Sequence, residues 1–117
     1  LIASGWRPGW STDYIAVLLA RRFKVKEIID AGNISFVYNK DCFKYKDTIP
    51  IKRLSWKKYR KLIGFRWIPG LPAPIDPIAA KLAQKLKIRA LIVKGTELKN
   101  LEKIILDKEF KGTTIQP

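Results

Sequence analysis

Apolar positions along the chain fall into short dense runs and wider helical spacings. Leu1-Ile2-Ala3 reads as the end of a strand, and Gly5 to Trp10 as a turn-rich loop. Tyr14, Ile15, Val17, Leu18 and Leu19 then give an almost continuously apolar helix that ends at Arg21-Arg22. A helix apolar on most sides packs well inside a domain. Ser11 or Thr12 can cap it, because a hydroxyl there accepts from backbone N–H groups that the first turn leaves unpaired. Asp13 follows in the first turn, where negative charge suits the helix dipole.

Val25–Ile29 reads as a short strand, Asp30–Asn33 as a turn, Ile34–Tyr38 as a second extended piece and Asn39–Thr48 as a polar loop. Ile49-Pro50-Ile51 leads to Ser55, a good cap for a helix from Trp56 to about Ile63. Gly64, Pro69, Gly70, Pro72 and Pro74 mark a constrained loop. Asp76-Pro77 is an acidic cap followed by proline at the first helical position. Ile78, Leu82 and Leu86, with Ala79 and Ala83 beside them, predict the buried stripe of a helix over Pro77–Lys87. Ile88–Val93 is strand-like, Glu97–Ile105 helix-like, and Gly112–Ile115 a last short strand. This alternation predicts an α/β fold with a mainly parallel sheet, in which Leu1–Ala3, Val25–Ile29 and Ile88–Val93 are strands and the helices pack on the faces.

Composition narrows the chemistry. The 117 residues are 47% hydrophobic, enough for a core. There is no histidine and one cysteine, which excludes His-dependent triads, His metal ligands, a Cys-based zinc site and an internal disulfide framework. No metal ligand set is identified. The longest apolar run, Tyr14 to Ala20, is far shorter than the ~20 residues of a membrane span. No signal peptide is visible, and a soluble cytoplasmic setting is expected. The chain contains no methionine and opens on Leu1, so a processed chain or an internal piece is expected.

Charge raises a rival function. Lys+Arg number 24 against 10 Asp+Glu, a net charge of +14. Trp56, Tyr59, Phe65 and Trp67 interleave with Lys57, Lys58, Arg60, Lys61 and Arg66, as aromatic and basic residues do in single-strand binders. The basic residues run from Arg21 to Lys111, however, and no nucleic-acid-binding motif is matched. General basicity of a lysine-rich proteome, or attraction of small anionic nucleotides, explains the charge better than a nucleic-acid partner.

The loop from Gly5 to Asp13 is the most informative segment. Gly5 and Gly9 let the backbone approach a ligand, Pro8 stiffens the turn, and the loop ends at a helix N-terminus bearing Ser11 and Thr12. Backbone N–H groups, hydroxyls and the positive dipole end suit a phosphate. The same pattern also describes a plain strand-to-helix loop with a capping hydroxyl.

Ser4-Gly5-Trp6-Arg7-Pro8-Gly9-Trp10-Ser11-Thr12-Asp13 resembles the G-G-x-x-P-G-x-T-T-D segment of UMP kinases of the archaeal type, in the amino-acid kinase superfamily. Asn33-Ile34-Ser35-Phe36-Val37-Tyr38-Asn39-Lys40-Asp41 is similar to their T-N-V-D-G-V-Y-x-x-D. Asp76-Pro77-Ile78-Ala79-Ala80-Lys81 is similar to D-P-L-A-A-K, and Gly112-Thr113-Thr114-Ile115 to G-T-x-I. Four segments in order are spread over essentially all 117 residues.

The resemblance implies a three-layer α/β sandwich, the amino-acid kinase-like fold. It implies phosphoryl transfer from ATP to UMP with Mg²⁺. It further implies that residues 1–117 are one domain, the C-terminal half of the fold, following a glycine-rich loop with a lysine. Family members assemble as hexamers, so a homo-oligomer is expected. Gly5, Trp6, Arg7, Pro8, Gly9, Trp10, Ser11 and Thr12 match the segment that contacts UMP, with Thr12 reaching the monophosphate. Asp13 matches the aspartate near the transferred group, where it orients cations. Gly32, Tyr38 and Asp41 match positions that contact ATP. Three departures fall on the ATP side: Gly32 replaces Thr, Ser35-Phe36 replaces Asp-Gly, and Cys42 stands where Pro is usual. Tyr38 as a core aromatic, and Trp6 with Trp10 as a subunit contact, are the competing readings. Another member of the superfamily with a different small substrate, or a basic nucleic-acid-binding domain, are the alternatives.

Overall fold

The computed structural model describes residues 2–39, 46–64 and 73–117. The elements are α1 (Thr12–Arg22), β1 (Glu27–Gly32), β2 (Val37–Tyr38), β3 (Pro50–Ile51), β4 (Arg53–Ser55), α2 (Trp56–Ile63), α3 (Pro77–Leu86), β5 (Arg89–Lys94), α4 (Leu98–Ile105) and β6 (Thr113–Gln116). Four strands form a sheet in the order β1-β5-β6-β4, and β2 pairs with β3 in a separate antiparallel hairpin. The β1–β5 and β4–β6 pairings are parallel, and β5–β6 is antiparallel. The sheet is therefore mainly parallel as predicted, and β5 lies inside it with Ala90, Leu91, Ile92 and Val93 buried.

Side-chain alternation sorts the faces. Ile28, Ala90, Ile92 and Ile115 point to the side where Val17, Ala20, Trp56, Tyr59, Ala79, Ala80 and Ala83 complete the core. Helix α3 lies between α1 and α2 on that side. Leu91 and Val93 point the other way, toward the segment returning from α4. There Gly112 packs so closely on the Ile92 carbonyl, Val93 and Phe110 that a Cβ would collide. Asn100, the buried residue of α4, ties that helix down by accepting from the Lys111 amide and donating to the Lys111 carbonyl, each at 2.7 Å.

Several predicted elements shift. Ile2–Ser4 is exposed and forms no strand, because none of the described residues offers it a ladder; Leu1 lies outside the described residues. The expected turn at Asp30–Asn33 is mostly strand, since β1 pairs with β5 in register through Gly32↔Lys94. The second extended piece narrows to Val37–Tyr38. On α3 the buried positions are Pro77, Ala79, Ala80 and Ala83, whereas Ile78 is 40% exposed. Small side chains let α3 approach two neighbouring helices closely, and the larger residues are displaced to the flanks.

Trp56 and Tyr59 are fully buried, so they offer no stacking surface to a nucleobase. Phe65, Arg66 and Trp67 of that basic-aromatic stretch lie outside the described residues. No described helix is long and apolar enough to cross a membrane.

Candidate functional site

The loop ahead of α1 is built by local rules. Pro8 presets one turn residue, Gly9 takes φ +82°, and the Trp10 amide donates to the Arg7 carbonyl at 3.1 Å. That is the pattern of a type II turn, which needs glycine at its third position. The Trp6 and Trp10 rings meet edge to face at 5.2 Å, and the Arg7 guanidinium sits 4.3 Å over Trp6. Trp10 continues the stack onto Tyr14 of α1 at 4.8 Å. Trp6 is 62% exposed, so the stack is a surface wall of the loop rather than core.

Of the two capping candidates, Ser11 is the one used. Its Oγ accepts from the Tyr14 amide at 3.1 Å and donates to Asp76 Oδ2. Thr12 is the first helical residue and stays exposed. Asp76 caps α3 through Oδ1, which accepts from the Ile78 and Ala79 amides at 2.9 Å each. The Asp76 amide in turn donates to Asp13 Oδ2 at 3.2 Å. Asp76 is thus more than a cap. It clasps the start of α1 to the start of α3, and two helix N-termini with their partial positive charge converge there.

Asp30 of β1 completes the acidic floor. Burial pushes its carboxyl up to about 7 from the ordinary 3.8, and the Asp13 charge adds to the rise. Burial also raises Asp13; the Asp76 charge adds to this, and the bond from the Asp76 amide opposes it. Both groups gain from a cation placed against them. Among the described residues no cluster of three or more His, Cys, Asp or Glu is arranged as a metal cage. Two neighbouring carboxylates, Asp13 and Asp30, fit Mg²⁺ differently, since that ion takes one or two carboxylates plus substrate phosphates.

The other described predicted residues lie apart, one on β1 and one in the hairpin. Gly32 ends β1, where its carbonyl accepts from the Gly95 amide at 2.8 Å, and a Cβ there would stand 3.7 Å from Asp30 Oδ1. Tyr38 lies in β2, half-buried, with its ring 6.3 Å from Phe36. Thr113 Oγ1 accepts from the Val37 amide at 2.8 Å and donates to the Ile51 carbonyl, so β6 holds both hairpin strands. Asp30, Ile92 and Thr113 are register partners across β1, β5 and β6, which puts the loop's acid and the hairpin's anchor on one row. Asp41 lies outside the described residues. Sequence reasoning missed Asp30 and Tyr59. An acid directly following the apolar run of a strand was the available signal for Asp30; a tyrosine in a basic helix gave none.

Residues 7–94 match the family model described as "Amino acid kinase family". The chain is 34% identical over 116 residues to the "Uridylate kinase" of Staphylothermus marinus, covering 99% of this chain and 51% of that protein. It is 30% identical over 118 residues to that of Methanococcus aeolicus, covering 100% and 52%. The crystal structure of uridylate kinase from Archaeoglobus fulgidus superposes with a TM-score of 0.78 at 30% identity, covering 95% of this chain and 49% of that one. The chain spans about half the length of the curated relatives it matches.

Proposed function

The chain belongs to the amino acid kinase family, and on that premise we propose that it forms the C-terminal half of a nucleoside monophosphate kinase that moves a phosphoryl group from ATP to UMP, giving ADP and UDP. The observation that carries this reading is the anchored loop. Gly5–Trp10 is shaped by a tight turn, its end is locked by Ser11 and Asp76, and the N-termini of α1 and α3 meet beside it, an arrangement that supports a phosphate site. Uridylate kinases that share about 30% of its residues support the substrate.

Within this reading the loop from Gly5 to Thr12 receives UMP. Ser11 is committed to Tyr14 and Asp76, so Thr12 is the hydroxyl that donates to the monophosphate. Asp13 and Asp30 face the transferred group and would hold Mg²⁺. That ion, when bound with ATP, neutralises charge on the phosphate oxygens. Asp13 needs no strongly basic character, because phosphoryl transfer depends on positioning and charge neutralisation. Gly32, Tyr38 and Asp41 serve the ATP side, with Tyr38 packing on the adenine.

Thermal unfolding of the intact protein with UMP, CMP, UTP and ATP tests the reading. A ligand that binds only the folded state raises the melting temperature by mass action. UMP and ATP should each raise it; a flat response to both sinks the proposal. The 117 residues contain no glycine-rich loop with a lysine of the family's kind. Alone they should form no UDP, for want of a cation on the transferred group.

A further inference from the structure

Tyr59 sits on α2, remote in sequence from the loop, and is fully buried. Its hydroxyl donates to the Ile75 carbonyl at 2.7 Å and accepts from the Ile75 amide at 2.8 Å. One side-chain oxygen therefore satisfies both backbone groups of a single residue. Ile75 is itself buried, and it precedes α3, so no helix or sheet ladder includes those two groups. The next residue is Asp76, whose amide holds Asp13 and whose carboxylate takes the Ser11 hydroxyl.

Resting on the kinase reading above, we propose that Tyr59 is a positioning residue for the phosphate-side loop: it fixes Ile75, Ile75 places Asp76, and Asp76 sets Ser11 and Asp13. The link is firmest at Tyr59, whose two bonds to Ile75 are buried and spare both backbone groups an unpaired, dry setting, and it runs on through the part-buried bonds of Asp76 to Asp13 and Ser11. The hydroxyl also keeps its proton. Burial raises its pKa, and the charges of Asp30, Asp13 and Asp76 raise it further, so it remains a donor to the Ile75 carbonyl.

Tyr59→Phe removes the hydroxyl and leaves both Ile75 groups buried without a partner. In the intact protein it should raise KM for UMP and lower kcat, together about tenfold or more in kcat/KM, while KM for ATP holds. Trp56→Phe is the control. It removes another fully buried bond on α2, from Trp56 Nε1 to the Ile88 carbonyl at 2.8 Å, and should lower the melting temperature without moving KM for UMP. Equal KM changes for UMP and ATP, or equal effects of the two variants, overturn the proposal.

Amide exchange on the intact protein reads the same link without activity. Tyr59→Phe should deprotect Tyr14, Ile78 and Ala79 selectively; uniform loss, or none, overturns it. Where Tyr59→Phe does not fold, Ser11→Ala breaks the chain of bonds at its other end. Unchanged exchange at Ile78 and Ala79 in that variant overturns the link as well. A wild-type protein that forms no UDP refutes the kinase reading, while the exchange data still decide the link from Tyr59 to the loop.

Discussion

The loop ahead of α1 and the β2–β3 hairpin lie over one row of the sheet, Asp30–Ile92–Thr113, yet they are held by opposite means. The loop is fixed by charge and capping. Ser11, Asp13 and Asp76 exchange bonds with each other and with helix amides, and Asp30, raised in part by the Asp13 charge, stands beside them. The hairpin is fixed by neutral means: the Thr113 hydroxyl bonds both of its strands, the Thr114 amide donates to the Lys52 carbonyl, and Val37 and Ile51 pack on the core. The difference has a functional consequence. A floor of buried acids keeps electrostatic free energy that a cation can release on arrival, whereas a hydroxyl clamp holds geometry alone.

The largest expected effect breaks the loop at its charge. In the intact protein, Asp13→Asn should lower kcat by about 10²–10³-fold, as loss of one preorganised electrostatic group does, and change KM for UMP much less. Steady-state kinetics with ATP and UMP check it. A change confined to KM would move Asp13 from the reacting group to the binding surface.

Next comes the pH dependence that only the loop side should show. Asp30 has its folded pKa raised to about 7 from an ordinary 3.8. Below about pH 4 both states hold the proton, and its contribution is fully present. Between about 4 and 7 the folded state keeps a proton that the unfolded state has released, so stability falls as pH rises. Asp30→Asn should therefore match wild type near pH 4 and exceed it at pH 8, by about 4 kcal/mol at 1.36 kcal/mol per pH unit. Urea unfolding across that range measures it. Parallel curves for the two proteins would show that Asp30 titrates normally.

A smaller effect concerns the phosphate contact. Thr12→Ala should raise KM for UMP by about 10- to 100-fold, because a charge-assisted bond is worth ~1.5–3 kcal/mol. Ser11→Ala should instead show its loss first in stability, as removal of an N-cap costs ~1 kcal/mol. If the two variants exchange these phenotypes, the roles of the neighbouring hydroxyls are reversed.

What the sequence made legible follows the same division. Local rules were sufficient wherever one residue acts on its own backbone: Ser11, Ser55 and Asp76 cap the helices expected of them, and Gly9 makes its turn. They failed where the cause is distant. Arg53–Ser55 is too short to read as a strand and exists because β6 pairs with it. The antiparallel entry of β6 beside β5 has no local signature. On α3 the expected stripe holds at Ala79, Ala83, Leu82 and Leu86 and fails at Ile78, because packing against α1 and α2 centres it on the alanines. Asp30 and Tyr59 entered the site through tertiary neighbours, which no spacing announces.

The smallest effect tests the hairpin's clamp. Thr113 is fully buried, and its hydroxyl is shared between the Val37 amide on β2 and the Ile51 carbonyl on β3. Valine has nearly the same shape, so Thr113→Val creates no cavity and isolates the polar loss. Two buried backbone groups then lack a partner, at a cost of about 1–2 kcal/mol, the lower part of the usual desolvation range because the hairpin sits at the margin of the core. Thr113→Ser keeps the hydroxyl and removes only a methyl, worth about 0.8 kcal/mol of burial. Amide exchange separates the two variants where total stability does not. Valine should deprotect Val37 while Tyr14, Ile78 and Ala79 on the loop side keep their rates, and serine should leave Val37 protected. Deprotection of both sites together would mean that loop and hairpin are one cooperative unit, and the contrast between a charged clasp and a neutral clamp would then describe their chemistry but not their mechanics.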